Sequence, residues 1–222
     1  MKYESAVFGE FLERPNRFVA RVRLDGEIET VHVKNTGRCR ELLVPGAPVV
    51  LAPGAGAARK TRFDLVCVEK PGLGWVNIDS QAPNVLMAEY LNQRPAPFGD
   101  VTLVRPEYAF GRSRVDFYLE RPGGRCLLEV KGCTLEREGT GWFPDAPTLR
   151  GAKHLRELAA ARRERWDCCL AFVIAMPKVR QVLPNRETDP AFTQAYEEAL
   201  AAGVRVLQLP CAVGPDSMEI IV

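Results

Sequence analysis

The stretch Val115-Asp116-Phe117-Tyr118-Leu119-Glu120-Arg121-Pro122-Gly123-Gly124-Arg125-Cys126-Leu127-Leu128-Glu129-Val130-Lys131 reads as two β-strands joined by a turn. Apolar and β-favouring residues fill Val115–Leu119 and Cys126–Lys131, and Pro122-Gly123-Gly124 breaks the chain between them. In a strand, residues two apart share a face, so Glu129 and Lys131 point together while Leu128 and Val130 point into a core. Loop length decides where Asp116 goes. A two- or four-residue loop centred on Pro122 and Gly123 sets Asp116 opposite Glu129 on the same face, whereas a three-residue loop turns it away. Two carboxylates and a lysine on one face suit a hard cation plus a charged transition state. The plain alternative is a salt-bridged Glu129–Lys131 pair on a solvated strand, and spacing alone leaves both open.

Downstream, a helix is expected from about Thr148 to Trp166, then the apolar strand Cys169–Ala175. A second helix, Ala191–Ala202, stops at Gly203 and hands over to Val204–Leu209. Strand, helix, strand with a glycine stop is a βαβ unit, so residues 80–222 read as an α/β domain. On the first of these helices Arg150, Lys153, His154 and Glu157 share a face, opposite Ala152, Leu155, Ala159 and Trp166. Such a basic face can track a phosphate backbone, although most such faces are simply solvated. Nothing in the sequence singles out a histidine held by an acid, as Ser–His–Asp or Cys–His catalysis requires.

Upstream, residues 1–79 show short strand candidates at Phe18–Leu24, Ile28–Val33, Pro48–Ala52, Phe63–Val68 and Gly74–Ile78. Five short strands without a long helix predict a small β-barrel, for which the OB barrel is the commonest fit. Its basic loops would set Arg14, Arg17, Arg38 and Arg40 near one rim, as an oligonucleotide-binding surface. Near Asp79 the texture changes, with a helix at Asn84–Asn92 that Arg94-Pro95-Ala96-Pro97 breaks. Gly54-Ala55-Gly56-Ala57-Ala58-Arg59-Lys60-Thr61 nearly spells a phosphate loop. Arg59 stands where that motif needs glycine, and a strand follows instead of a helix, so a glycine-rich turn is the better reading.

Composition sets the frame. The chain has 222 residues, 46% of them hydrophobic and 26% charged, as in ordinary soluble globular proteins. No apolar run approaches the roughly 18 residues of a membrane helix, and Met1-Lys2-Tyr3-Glu4-Ser5 leads into mixed sequence, which points to a cytoplasmic protein. A net charge of +2 does not by itself announce a nucleic-acid binder. Seven cysteines, an odd count without a C-x-x-C pair, argue against a disulfide framework or a zinc ribbon. Cys67 and Cys126 read as small buried hydrophobes, and the adjacent Cys168-Cys169 offers only a weak redox signal.

Several segments together carry a family resemblance. Asn16-Arg17-Phe18, Asn35-Thr36-Gly37-Arg38, Glu41-Leu42-Leu43, Arg59-Lys60-Thr61, Ser113-Arg114-Val115-Asp116-Phe117, Leu128-Glu129-Val130-Lys131, Phe143-Pro144-Asp145-Ala146 and Arg150-Gly151-Ala152-Lys153-His154-Leu155 stand in the order typical of one family. Over essentially its whole length the chain resembles the sugar fermentation stimulation protein A family. That resemblance implies an N-terminal OB-like barrel followed by a PD-(D/E)XK, restriction-endonuclease-like α/β domain. It also implies binding of double- or single-stranded DNA and a role in regulating sugar metabolism in bacteria. By motif, Asp116 and Glu129 would hold Mg²⁺ or Mn²⁺ with the Val130 carbonyl, and Lys131 would orient the attacking water or stabilise charge. Glu107 would supply an outer carboxylate. One departure stands out: Ala175-Met176 occupies the place of a polar Gln-Arg pair. The expected function is therefore DNA binding with metal-dependent phosphodiester hydrolysis. The alternative is a non-catalytic DNA-binding regulator with a vestigial site.

Overall fold

The computed structural model describes residues 1–35, 37–54, 59–93, 98–111 and 113–221. In the N-terminal part, Val7–Asn16 (β1), Val19–Leu24 (β2), Glu27–His32 (β3), Pro48–Pro53 (β4) and Phe63–Lys70 (β5) form a closed five-stranded barrel. β1 pairs with β2 and β4, β2 with β3, β4 with β5, and β3 closes the ring against β5 where His32 faces Asp64. Gly74–Asn77 (β6) pairs with β5 outside the ring. The expected barrel is present, but its fifth strand is β1 rather than the segment at Gly74. β1 hides from a search for alternation because its register against β2 shifts at Glu13 and again before Asn16. Along it only Phe11 is fully buried.

Charge holds the closure. Asp64 is buried, and its carboxylate meets His32 Nδ1 at 2.9 Å, Lys34 Nζ at 3.4 Å and the Arg59 guanidinium. Burial pushes the Asp64 carboxyl up, but the hydrogen bonds and charges of Arg59, His32 and Lys34 outweigh it and hold the group below the ordinary aspartate range. Arg59, the residue that spoils the near-phosphate-loop, thus serves the barrel. Ala55–Ala58 of that loop and the helix breaker Arg94–Pro97 lie outside the described residues.

The C-terminal part begins with Ala82–Asn92 (α1) and continues through Leu103–Phe110 (β7), Ser113–Arg121 (β8) and Gly124–Cys133 (β9). Leu135–Arg137 (β10), Thr140–Phe143 (β11), Leu149–Arg163 (α2), Asp167–Ile174 (β12) and Val182–Pro184 (β13) follow. Pro190–Ala201 (α3), Arg205–Val213 (β14) and Met218–Ile220 (β15) complete the chain. A six-stranded mixed sheet runs β15-β14-β12-β9-β8-β7, with β9, β12 and β14 parallel. β10, β11 and β13 form a small separate sheet.

Leu128, Val130, Phe117 and Leu119 pack with α1 on one face of the large sheet, whereas Leu127 and Tyr118 join the cluster that holds α2, α3 and the barrel core. Both helices on the second face start from one carboxylate. Asp189 caps α3 by accepting from Phe192 N at 2.8 Å, and its other oxygen accepts from the backbone of Thr148, the cap of α2, at 2.7 Å. All seven cysteines are buried and free, and burial pushes thiols such as Cys133 and Cys168 up to about 12. The Cys168-Cys169 pair is therefore core. Among the described residues no helix is long and apolar enough to cross a membrane.

Candidate metal centre and nucleic-acid surfaces

The β8–β9 hairpin resolves the question of Asp116. Register runs from Arg121 opposite Gly124 to Phe117 opposite Leu128, which leaves Pro122-Gly123 as a two-residue loop. Continued by one step, the same register sets Asp116 against Glu129. The ladder stops there, and the Val130 N–H donates to Asp116 Oδ2 at 2.7 Å. The site thus lies at a fork between two strands.

Helices reach this fork from both faces of the sheet. From the first turn of α1, Asn84 Nδ2 donates to Asp116 Oδ1 at 3.0 Å. That approach depends on Gly132, because a Cβ there would lie 2.6 Å from Pro83 Cγ. From α2, His154 reaches Glu129 through Nδ1, and Lys131 Nζ pairs with the same Glu129 oxygen, Oε1. Glu129 is 1% exposed, so the two cationic or donor groups on Oε1 offset the cost of burying a carboxylate.

The two carboxyl groups are driven apart in acidity. Burial raises Glu129, but the Lys131 charge and the His154 contact prevail and leave it below the ordinary glutamate range. Asp116 is raised, first by burial and then by the Glu129 charge, against the opposing pull of Lys131, Val130 N–H and Asn84. Such divergence in a neighbouring pair is characteristic of sites that do chemistry.

Glu129 Oε2 is buried without a hydrogen-bond partner. A buried, charged, unpaired oxygen is costly unless something else supplies positive charge. Among the described residues no three His, Cys, Asp or Glu side chains gather at ligating range. The side-chain donors at the fork are thus two carboxylates, oxygen ligands of the kind that a hard divalent ion prefers.

The remaining expected site residues divide. Arg150 and Lys153 are exposed on α2, with Lys153 in a loose pair with Glu157 at 3.7 Å. His154 leaves that face: its ring is buried against Glu129, because α2 turns position 154 toward the sheet. The sequence reading therefore missed a histidine held by an acid, since its partner lies 25 residues away. Glu107 is also elsewhere; its side chain is 64% exposed and pairs with Arg114 at 3.2 Å.

On the barrel, Arg17, Arg38 and Arg40 are exposed, whereas Arg14 is consumed by the backbone. Its guanidinium donates to the carbonyls of Gly37, Arg38, Arg17 and Asn35 at 2.7–3.0 Å, which gathers two loops and brings Arg17 and Arg38 together. Arg14 is a clamp, not a free phosphate ligand. Arg14→Ala should lower the unfolding free energy by about 2–4 kcal/mol, since several charge-assisted bonds go at once. Denaturant titration measures this, and a loss under 1 kcal/mol would mean that water replaces the clamp.

Beside the fork lies a cavity of about 280 Å³ whose lining includes Asp79, Gly132, Trp142, Phe143, Asp145 and Ala175. The Phe143-Pro144-Asp145-Ala146 motif thus borders the site, and Asp145 Oδ2 and Trp142 Nε1 are buried without partners. Ala175 and Met176, at the end of β12, are both buried.

Comparison with known proteins agrees with this architecture. Residues 12–78 match the family described as SfsA N-terminal OB domain, and residues 81–217 match Sugar fermentation stimulation protein RE domain. A sugar fermentation stimulation protein homolog of Desulfitobacterium hafniense (strain Y51) is 46% identical over 219 residues, covering 99% of this chain and 95% of the relative. A homolog of the same name from Ruminiclostridium cellulolyticum is 43% identical, covering 99% and 96%. The structure of Pyrococcus furiosus SfsA in complex with Ca²⁺ superposes with a TM-score of 0.90 at 30% identity, covering 100% of this chain and 94% of that one. An OB barrel joined to a restriction-endonuclease-type domain, matched over nearly the full length, places the chain in the sugar fermentation stimulation protein family.

Proposed function

We propose that this protein binds DNA and hydrolyses phosphodiester bonds, using Mg²⁺ or Mn²⁺ held by Asp116, Glu129 and the Val130 carbonyl. In this reading residues 1–79 are a nucleic-acid-binding barrel and residues 80–222 carry the site. The observation behind it is the convergence of Asp116, Glu129 and Lys131 at the strand fork, with one Glu129 oxygen buried and unpartnered. The Pyrococcus relative solved with Ca²⁺, a hard cation with the same preference for oxygen, supports it.

The cation would make water a nucleophile near neutral pH and offset charge on the phosphoryl group. Asn84 and the Val130 N–H hold Asp116, and His154 holds Glu129. Lys131, partly exposed beside Glu129, supplies a positive charge where negative charge grows in the transition state. Arg17, Arg38 and Arg40 on the barrel and Arg150 and Lys153 on α2 bind the phosphate backbone. Arg17→Ala with Arg38→Ala should weaken duplex binding about tenfold and flatten the salt dependence by about two units of slope. Unchanged binding across a salt series would remove the barrel rim from the interface.

A second reading, a non-catalytic DNA-binding regulator, is favoured by the buried apolar Ala175-Met176 where the family resemblance implies a polar pair. The family name points the same way. Purified protein incubated with plasmid, linear duplex and single-stranded DNA, in Mg²⁺, in Mn²⁺ and in EDTA, separates the two. Cleavage that needs the metal supports the nuclease. Tight binding without cleavage in every condition establishes the regulator.

A further inference from the structure

The far end of the large sheet carries a second concentration of charge. Where β9 and β12 begin, Arg121, Arg125, Arg162, Arg165 and Arg205 surround a shallow pocket of about 470 Å³ closed by the Gly123-Gly124 turn. Asp167 is the one carboxylate in its lining. Gly124 and Glu129 both lie on β9, about 16 Å apart along an extended strand. The pocket is separate from the candidate metal centre.

Five guanidiniums repel one another, so their gathering needs an explanation. Asp167 Oδ2 pairs with Arg121 and accepts from Arg205 at 3.0 Å, which offsets one charge. Neutral groups hold Arg162 and Arg125 and add to the hold on Arg121. Arg162 donates to the carbonyls of Gly203 and Trp166, each at 3.1 Å, and Arg121 also donates to the Phe98 carbonyl at 3.2 Å. Arg125 lies over the Trp166 ring, 4.2 Å from its centroid. Carbonyls and an aromatic face fix a guanidinium without cancelling its charge. For Arg121, Arg125, Arg162 and Arg205 the ordering cost of a long side chain is thus already met in the free protein, which favours binding.

We propose that this pocket binds phosphoryl groups, presented either by a nucleic-acid backbone or by a free oligophosphate. Arginine forks match phosphoryl oxygens bidentately, and the lining sets five arginines against the single carboxylate of Asp167. No metal is needed, so the pocket functions whether or not the fork is a nuclease.

Calorimetry with sodium tripolyphosphate in EDTA, against sodium chloride of matched ionic strength, tests the assignment. The wild type should bind saturably, and Arg125→Ala with Arg165→Gly should weaken the affinity at least tenfold. Both side chains are exposed, and Arg165 has φ of 67°, where glycine is at ease, so the fold survives. Arg137→Ala with Arg186→Ala, two exposed arginines elsewhere on the surface that pair with Glu187 and Glu197, should leave tripolyphosphate affinity within about twofold. A dT12 oligonucleotide that displaces tripolyphosphate identifies the backbone as the source, and one that does not identifies a free oligophosphate. Absence of binding beyond the salt control overturns the proposal. So does equal affinity in the Arg125/Arg165 variant, or an equal loss in the Arg137/Arg186 variant.

Discussion

Lys131→Met is expected to reduce metal-dependent cleavage by about 10²-fold or more while DNA affinity stays within about threefold. An interaction made chiefly in the transition state contributes to rate and little to ground-state binding. Methionine keeps the apolar stem of the side chain and removes only the ammonium. That ammonium also balances Glu129, which is 1% exposed, so the variant should lose about 3 kcal/mol of stability. Rates are therefore compared at a temperature where circular dichroism reports both proteins folded. Arg150→Ala with Lys153→Ala should behave differently, with affinity and cleavage falling together. If Lys131→Met cuts at the wild-type rate, Lys131 only anchors Glu129 and its catalytic role is gone.

Asp116→Asn should abolish the response to metal and yet stabilise the metal-free protein by about 0.5–2 kcal/mol, the usual range for relieving a conflict at a functional site. The sign follows from acidity. Burial and the Glu129 charge raise the Asp116 pKa in the folded state, so ionised Asp116 destabilises the fold. This penalty is absent below the ordinary aspartate pKa and fully present above the raised folded value. Asparagine resembles the protonated acid: it can still accept from Val130 N–H, and a flipped Asn84 amide can accept from it. The advantage of the variant should fade as pH falls from the raised folded value to the ordinary aspartate pKa. Added Mg²⁺ at 100 times its Kd should stabilise the wild type by about 2.7 kcal/mol and the variant hardly at all. Thermal unfolding with and without Mg²⁺, at neutral and acid pH, reads all of this. A variant less stable without metal would contradict the assigned electrostatics.

Much of the α/β part was legible because strong periodicity marks it. The segments expected at Asn84–Asn92, Thr148–Trp166 and Ala191–Ala202 are α1, α2 and α3 within a few residues, and Cys169–Ala175 is the core of β12. β7 went unread because none of its residues is fully buried and Pro106 interrupts it. The short strands β10, β11, β13 and β15 span three or four residues, too few for a period to show. In the barrel, the bulges of β1 broke the alternation that exposed its neighbours.

By itself, the sequence determined that Glu129 and Lys131 share a face, that Val130 turns the other way, and that a barrel precedes an α/β sheet. These follow from the period of a residue's own element, which the local chain encodes. Tertiary structure decided the rest. It set the two-residue loop that brings Asp116 to Glu129, the burial of His154 and the diversion of Arg14 into a clamp. It also assembled the arginine pocket from the ends of β8, β9, α2 and β14. A charge's partner depends on which segments pack together: Arg121 meets Asp167 across 46 residues, a separation that no local period encodes.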